Sequence, residues 1–284
     1  MAVTLALGLV ADLVDVDALR ASFVTHPPTT AGGSVRWVDV EHHASLPSTN
    51  RRALELARPG LVVLADHQSA GRGRLDRGWE SPVGASLLLS ATVPVPATGT
   101  GWLPLLAGLA VARAVREVAG VRAVLKWPND VLLPADEDRK VCGVLCELGS
   151  APGRAPVVVV GIGVNLTQGS DALPVPTATS LALAGAGSVD PTALAGAVLR
   201  HLAVAVDALV AGGDAAAAAR ASYRGACDTL GREVRLQRTG APDVVGTAVD
   251  LDDDGRLVLE TAAGERGAWA AGDVVHARRE PVGP

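Results

Sequence analysis

Hydrophobic and polar positions follow two different periods along the first 226 residues. Apolar residues spaced three or four apart predict helices, and short continuous apolar runs bounded by turn residues predict strands. The helices predicted in this way cover residues 12–23, about 49–57, 105–118, 190–210 and 214–223. The predicted strands cover residues 36–40, 61–65, 85–93, 122–127, 141–148 and 156–160.

Two of the predicted helices carry signals at their ends. Thr49 or Asn50 is expected to cap the second helix, and Asp190 followed by Pro191 is a typical start for the fourth. The strands and helices do not alternate regularly. The sequence therefore predicts an α+β fold, with a mixed sheet flanked by helices, rather than a doubly wound parallel sheet.

The pattern changes after residue 226. Short β-like runs follow one another, separated by turn signals such as Asp253-Asp254-Gly255. They cover residues 232–237, 244–250, 256–260, 267–270 and 274–277. We therefore predict two domains, residues 1–226 and a small β-barrel over residues 227–284.

Composition narrows the classes of function. The net charge is −5, so a global attraction for nucleic acid or an anionic membrane is not expected. The apolar residues 1–10 lack the basic segment of a signal peptide, and no apolar run reaches membrane-spanning length. We expect a cytoplasmic protein with neither nucleic acid nor membrane as partner. Its three cysteines, an odd number, are interpreted as buried thiols rather than a disulfide framework.

Rare residue types mark candidate chemistry. The 25 basic residues include only two lysines, Lys126 and Lys140. The only asparagines are Asn50, Asn129 and Asn165, and all five residues lie in compact polar, glycine-bearing segments. Lysine supplies a compact ammonium on a flexible stem, which arginine does not. This clustering favours a functional role, although such small numbers also allow chance.

A glycine- and arginine-rich segment, residues 68–74, follows the apolar strand 61–65. Glycine lets the backbone approach a ligand closely, and arginine forks suit phosphate or carboxylate. The segment is not a P-loop, because no Gly-Lys-Ser/Thr follows, and by itself it also fits a solvated basic loop. Trp79 lies just beyond it and fits either stacking on a ring or packing in the core.

The segment Gly161-Ile162-Gly163-Val164-Asn165-Leu166 half-resembles a dinucleotide fingerprint. The third glycine is missing, and no clear acidic residue follows at the required distance. We interpret it instead as a tight turn that places the amide of Asn165 in a pocket.

Five motifs in this order, near the expected spacing, resemble those of the biotin protein ligases. They span residues 48–50, 68–74 with Trp79, 126–130, 139–147 and 161–166, and residues 272–275 add a C-terminal match. The resemblance implies a class II synthetase-like catalytic domain followed by an SH3-like barrel. Some members also carry an N-terminal DNA-binding domain; only 47 residues precede Ser48, so we expect a form without it.

The resemblance also implies a reaction with two steps. ATP activates biotin to biotinyl-5′-AMP, and a lysine of a biotin carboxyl carrier domain of an acyl-CoA or pyruvate carboxylase then accepts the biotin. Fixed positive charge and Mg²⁺ must offset the repulsion between carboxylate and phosphate. The residues expected to act in catalysis by this resemblance are Lys140, Arg72 and Arg74.

The binding residues implied by the resemblance fall into two groups. Those expected to contact biotin are Ser48, Thr49, Asn50, Gln68, Arg72, Gly73, Arg74, Lys140 and Gly143. Those expected to contact ATP or the adenylate are Trp79, Lys126, Asn129, Asp130 and Asn165. Asp130 is also the candidate for binding Mg²⁺ or for orienting Lys140, and the sequence does not choose between these roles. Asp76 departs from relatives that have basic or small residues there, which lowers the local positive charge.

Three other functions share some of these features. A lipoate or octanoate ligase or transferase would have the same general fold, but residues 71–74 and 126–130 favour biotin. A biotin-sensing transcriptional regulator is opposed by the acidic balance and by the short segment before Ser48. A binding module without catalysis is opposed by the presence of both lysines and both loop arginines.

Overall fold

Two β-sheets organise the chain in a computed structural model that describes residues 13–25, 35–75, 77–238, 240–270 and 272–276. The larger sheet has the strand order β1-β2-β3-β7-β6-β5-β4. Strands β1 and β2 are parallel and all other neighbours are antiparallel, which confirms the predicted mixed sheet. Its strands are Asp39–His43, Leu61–Ala65, Ser86–Pro94, Val124–Lys126, Asp130–Leu133, Arg139–Gly149 and Val157–Asn165.

Helices cover both faces of this sheet. Alternate residues of β2 belong to different clusters: Val62 and Leu64 join the main core with α3 and α4, whereas Leu61 and Val63 pack beneath α2. Burial on both faces explains why β2 is continuously apolar. The helices α1 to α5 are Val16–Thr25, Thr49–Leu56, Trp102–Ala119, Pro191–Ala211 and Gly213–Ala226.

The C-terminal part forms a five-stranded antiparallel sheet with the order β11-β10-β9-β8-β12. The alternating side chains of β8, Val234 and Leu236, are buried in the main core, so this sheet packs against the larger part of the protein. Its strands β8 to β12 are Glu233–Gln237, Val244–Leu251, Leu257–Glu260, Arg266–Trp269 and Asp273–His276.

Several predicted boundaries were wrong. Ser48, rather than Thr49 or Asn50, caps α2: its backbone is extended and its side chain accepts from the Arg51 amide at 3.4 Å. The first strand covers Asp39–His43 instead of residues 36–40, because it must lie beside β2 in parallel register. The strand β5, Asp130–Leu133, has no counterpart in the prediction.

The predicted turn at residues 161–165 is also wrong. This segment continues β7, which pairs with β3 through Asn165 and with β6 through Val164. Its even-numbered residues, including Ile162 and Val164, face the helix-covered core. Because side chains alternate across a strand, Gly161, Gly163 and Asn165 face the opposite side of the sheet.

Helix α4 is long and apolar enough, by length and composition alone, to cross a membrane. It packs against α3, and 61% of its most apolar window is buried inside the protein. The helix therefore serves as a core element of the fold. The three cysteines are free; Cys142 and Cys227 are buried and Cys146 is half-buried, as expected for structural thiols.

Candidate active site

A cavity of about 1060 Å³ lies on the sheet face that α2 leaves partly uncovered. It is lined by the pocket-facing positions of β5, β6 and β7, by the start of α2, and by residues 137–138, 174–175, 177–178, 273 and 275. All fourteen residues that the sequence singles out lie along this one cavity. They are Ser48, Thr49, Asn50, Gln68, Arg72, Gly73, Arg74, Trp79, Lys126, Asn129, Asp130, Lys140, Gly143 and Asn165.

One end of the cavity is lined by hydroxyl and amide groups. The backbone amide and the hydroxyl of Thr49 both donate to Gln68 Oε1, at 2.7 and 3.0 Å. Ser90 Oγ lies 2.7 Å from Thr49 Oγ1 and 2.6 Å from Asn50 Oδ1. Because Ser48 caps the helix, Thr49 and Asn50 fall in its first turn, where both are buried against the sheet. This end offers fixed polar groups to a neutral polar ligand.

The glycines of β6 and β7 make room for three side chains. A Cβ on Gly161 would lie 2.1 Å from Asn50 Oδ1, and one on Gly163 would lie 2.5 Å from the Trp79 ring. A Cβ on Gly143 would approach both Trp79 and the Lys140 ammonium, at 3.1 and 3.2 Å. Glycine is therefore required here by close packing, not by turn geometry.

Residues 71–75 and 77–79, which we call the glycine–arginine hairpin, fold back over the pocket. Gly73 N donates to Arg77 O at 2.7 Å and Trp79 N donates to Gly71 O at 3.0 Å. Asp76, the proposed departure from the family pattern, lies outside the described residues. The hairpin places Arg72, Arg74 and Arg77 above the sheet, so its charges can reach a ligand held on the sheet surface.

Each hairpin arginine has a different acidic or polar partner. Arg72 Nη2 donates to both carboxylate oxygens of Glu147, at 2.9 and 3.1 Å. Arg74 Nη1 donates to Asn129 Oδ1 at 3.1 Å. Arg77 pairs with Asp273 of β12, which links the hairpin to the C-terminal sheet. The three arginines therefore point to three different parts of the pocket wall.

The other end of the cavity concentrates positive charge. Lys140 Nζ lies 2.6 Å from Asp130 Oδ1 and 5.9 Å from the centroid of the Trp79 ring. Burial lowers the pKa of Lys126, and the nearby charges of Lys140 and Arg77 lower it further, against the opposing effect of Asp130. Burial likewise lowers the pKa of Arg74. Burial and mutual repulsion both disfavour these positive charges. Their presence together therefore indicates a site that binds an anion.

A bulge in β6 explains how Lys140 reaches the pocket. The pairing of β5 with β6 shifts register between Val131 and Leu132, and both Val141 and Cys142 face the core. A bulge inserts one extra residue and re-aims the side chains that precede it. Lys140 and Gly143 consequently face the same side of the sheet.

The asparagines are held by the protein itself. Asn129 Nδ2 donates to Val144 O at 3.0 Å, and Val144 N donates to Asn129 O at the same distance. Asn165 is buried; its Nδ2 donates to Thr179 O at 2.9 Å and its Oδ1 accepts from Gln168 Nε2 at 3.0 Å. Their orientations are therefore fixed before any ligand binds.

Among the described residues, no three His, Cys, Asp or Glu side chains come together as a metal site. Asp130 presents one carboxylate, already paired with Lys140, at the cationic end of the pocket. Mg²⁺ often uses only one or two carboxylates and completes its shell with substrate phosphates and water. The site fits a cation that arrives with a nucleotide, and not one held by protein ligands alone.

Four residues that contact the site residues are not predicted from the sequence to have a role there. Ser90 and Gln168 orient the amides of Asn50 and Asn165, Glu147 binds Arg72, and Asp273 binds Arg77. Glu147 and Asp273 belong to motifs of the family resemblance, but the partner of neither residue could be inferred from the sequence. Their roles depend on which strands and loops face one another.

Comparison with known proteins relates both parts of the chain to one family. Residues 43–165 match the biotin/lipoate A/B protein ligase family, and residues 229–277 match the biotin protein ligase C-terminal domain. The biotin--[acetyl-CoA-carboxylase] ligase of Mycobacterium tuberculosis is 38% identical over 258 residues, covering 87% of this chain and 92% of that protein. The bifunctional ligase/repressor BirA of Escherichia coli is 32% identical over 250 residues, covering 86% of this chain and 74% of that protein.

A solved structure supports the same relationship. The biotin protein ligase from Aquifex aeolicus in complex with biotin and ATP superimposes with a TM-score of 0.68 at 27% sequence identity. The match covers 85% of this chain and 99% of that one. The likeness in fold therefore extends over nearly the whole of that chain.

Proposed function

Since this chain belongs to the biotin protein ligase family, we propose that its pocket joins biotin to AMP and passes the biotin to a lysine of a carrier protein. The observation that supports this most directly is the division of one cavity into two ends. Hydroxyl and amide groups line one end, and Arg74, Lys126 and Lys140 surround Asp130 at the other. Biotin has a neutral polar ring at one end and a carboxylate at the other, and the cavity has the same polarity.

In the first step, an oxygen of the biotin carboxylate attacks the α-phosphorus of ATP, and the bond to the β-phosphate breaks. Two anions must meet, so positive charge held in place lowers the barrier. Lys140 would stabilise the oxygens that change bonding, because its ammonium is compact and follows them on a flexible stem. Lys126 and Arg74, which already lose hydration in the pocket, would bind the phosphates.

Mg²⁺ would accompany ATP and offset the charge of the leaving pyrophosphate when bound. We propose that Asp130 contacts this ion. Among the described residues, it is the carboxylate that forms an ion pair with a lysine of the pocket. In the absence of nucleotide, the same carboxylate orients Lys140 at 2.6 Å. The two roles that the sequence left open are therefore compatible.

In the second step, the neutral amine of a carrier lysine attacks the biotinyl carbonyl, a proton leaves the nitrogen, and AMP departs. Water would compete for the same carbonyl. The glycine–arginine hairpin lies over the sheet and would exclude water while the adenylate waits. Trp79 is proposed to stack on adenine, and the fixed amides of Asn129 and Asn165 to border it.

Biotin is favoured over lipoate or octanoate by the polar end of the cavity. Ser48, Thr49, Asn50 and Gln68 supply donors and acceptors there, which suit a ureido group. A dithiolane ring or a plain acyl chain would offer these groups no hydrogen bond in place of the water that it displaces, at a cost in affinity. We propose a carrier domain of an acyl-CoA or pyruvate carboxylase as acceptor, a cytoplasmic location, and no part for nucleic acid or membrane in the reaction.

Mass spectrometry of a carrier domain tests the proposal. The protein would be incubated with ATP, Mg²⁺ and an isolated carboxylase carrier domain, with biotin, lipoate or octanoate as the acid. We expect one lysine to gain the mass of biotin and none to gain the other acids. Modification by lipoate or octanoate in place of biotin would contradict the proposal and favour a lipoate or octanoate ligase or transferase.

A further inference from the structure

Glu147 occupies a junction between the glycine–arginine hairpin and the first turn of α2. It lies near the end of β6, paired with Val159 of β7. Its carboxylate accepts from Arg72 Nη2 at 2.9 and 3.1 Å, and from Asn50 Nδ2 at 2.8 Å. One side chain therefore joins the flap over the pocket to the floor beneath it.

The amide of Asn50 is fixed on every side by these contacts. Its Oδ1 lies 2.6 Å from Ser90 Oγ, and its Nδ2 donates to Leu145 O at 3.2 Å as well as to Glu147. Asn50 is 4% exposed, so a lost partner could not be replaced freely by water. Without the carboxylate, the amino group of Asn50 loses its charged acceptor. The orientation in which the amide oxygen faces Ser90 is then less strongly favoured.

Arg72 lies apart from the other cations of the site. Arg74, Lys126 and Lys140 gather about Asp130, whereas Arg72 is held by Glu147 at the amide-lined end. Its positive charge is thus balanced before any ligand arrives. The contact fixes where the hairpin lies, and contributes less to the charge at the reacting end.

We propose that Glu147 is a positioning residue that couples recognition of biotin at α2 to closure of the glycine–arginine hairpin. A ligand that binds against Asn50 reinforces its contact with Glu147, and Glu147 in turn holds Arg72 and the hairpin. The inference rests on the proposed function, because it takes biotin as the ligand. It assigns a role to a residue that makes no contact with the reacting atoms.

The ion pair between Arg72 and Glu147 is partly exposed to solvent, so its loss should affect the position of the hairpin more than the stability of the fold. The side chain of Arg72 is 50% exposed, and ion pairs of this kind contribute little to folding. The variant Glu147→Gln keeps the size and one acceptor oxygen but brings an N–H group against two donors. It should therefore fold normally while losing one side of the junction.

The experiment measures biotin-dependent pyrophosphate exchange and tryptic cleavage in the hairpin, for the wild-type protein and Glu147→Gln. We expect the KM for biotin to rise about tenfold, equivalent to about 1.4 kcal/mol, with kcat changed less than about twofold. Saturating biotin should protect the wild-type hairpin from cleavage after Arg72, Arg74 and Arg77. In Glu147→Gln most of that protection should be lost.

A matched control is available on the other face of the protein. Glu117 of α3 accepts from Arg200 Nη2 at 2.6 and 2.7 Å, and this pair lies outside the cavity. Glu117→Gln should leave both the KM and the protection unchanged. Because both changes break the Arg72–Glu147 contact, the double variant Arg72→Gln/Glu147→Gln should raise the KM by less than the product of the two single effects.

The outcomes distinguish this inference from the function on which it rests. A wild-type protein with no biotin-dependent exchange would overturn the proposed function, and the role of Glu147 with it. A wild-type protein with normal exchange, accompanied by a Glu147→Gln variant with unchanged KM and protection, would overturn the role of Glu147 alone.

Discussion

Lys140 and Asp130 face one another across β6 and β5, with 2.6 Å between the ammonium and the carboxylate. Lys140 is proposed to supply the charge that stabilises the first transition state. Lys140→Ala should reduce adenylate formation by about 10²–10³-fold, the usual effect of losing one pre-organised group. Single-turnover formation of the adenylate measures this directly.

The thermal midpoint serves as the control for Lys140→Ala, because the side chain is 34% exposed and contributes little to the core. Adenylate formation at the wild-type rate in a folded variant would contradict the role. Lys140→Arg is expected to rescue little, since a planar guanidinium cannot follow the oxygens as the ammonium does.

The position of Lys126 in the site should lower the stability of the folded protein. Burial and neighbouring cations lower its pKa, so the charged form is less stable in the folded protein than in the unfolded chain. Lys126→Met should therefore raise the thermal midpoint at neutral pH while weakening the use of ATP. The gain should shrink as pH rises through the lowered pKa of Lys126, because the neutral side chain no longer resists burial.

Calorimetry at neutral and alkaline pH, with both proteins compared at each pH, tests this sign. A variant that is less stable than the wild type at neutral pH would show that the attraction of Asp130 for Lys126 outweighs its burial, which contradicts the lowered pKa.

At this scale the sequence was informative where a residue type was scarce. Both lysines and all three asparagines line the pocket, and their functional roles stay a prediction. The sequence could not assign Glu147 or Ser90, because a common residue type takes its role from its neighbour. Asn50 and Arg72, which give Glu147 its role, are 97 and 75 positions away.

At the scale of elements, β7 shows why periodicity misled. The sequence Gly161-Ile162-Gly163 was interpreted as a turn, yet its apolar residues alternate as in a strand with one buried face. The glycines are required by Asn50 and Trp79, which come from elsewhere in the chain. The bulge that turns Lys140 to the pocket was hidden for the same reason, since register depends on the partner strand.

Gly163→Ala tests this interpretation of β7. The new Cβ would lie 2.5 Å from the Trp79 ring, so the indole must move away from the sheet. We expect kcat/KM for ATP to fall by about 10–100-fold, in line with the effect of small misplacements in an active site. Steady-state exchange kinetics with varied ATP provide the measurement.

Gly225→Ala is the matched control, because nothing lies within 4 Å of the added Cβ and the residue is in a helix. It should stabilise the protein slightly and leave the kinetics unchanged. If Gly163→Ala behaved in the same way, the close packing of Trp79 on β7 would not matter for ATP.

For the whole molecule, two tryptophans join the C-terminal sheet to the larger part. Trp127 Nε1 donates to Gly255 O and Trp102 Nε1 to Asp253 O, each at 3.0 Å. The two-part organisation was predicted from the change in periodicity, and the mixed sheet is confirmed. The boundary at residue 226 coincides with the end of α5, but the division into domains stays a prediction.

Trp127→Phe should loosen this attachment. It removes one buried donor and leaves the Gly255 carbonyl unpaired, which costs about 1–3 kcal/mol and about 2–4 °C of thermal midpoint per kcal/mol. Because Lys126 and Asn129 flank the position, the KM for ATP should also rise.

Trp37→Phe is the matched comparison, since Trp37 Nε1 donates to Leu199 O at 3.2 Å, away from the pocket. It should lower the thermal midpoint without changing the KM for ATP. Equal effects of both variants on the KM would indicate general loosening instead of a specific link between the parts.

The proposed function requires that this pocket activates biotin with ATP. Exchange of labelled pyrophosphate into ATP, with biotin in one reaction and lipoate in another, measures that step without any carrier. We expect exchange that depends on biotin and is absent with lipoate. Exchange with lipoate alone, or none with either acid in folded protein, would contradict it.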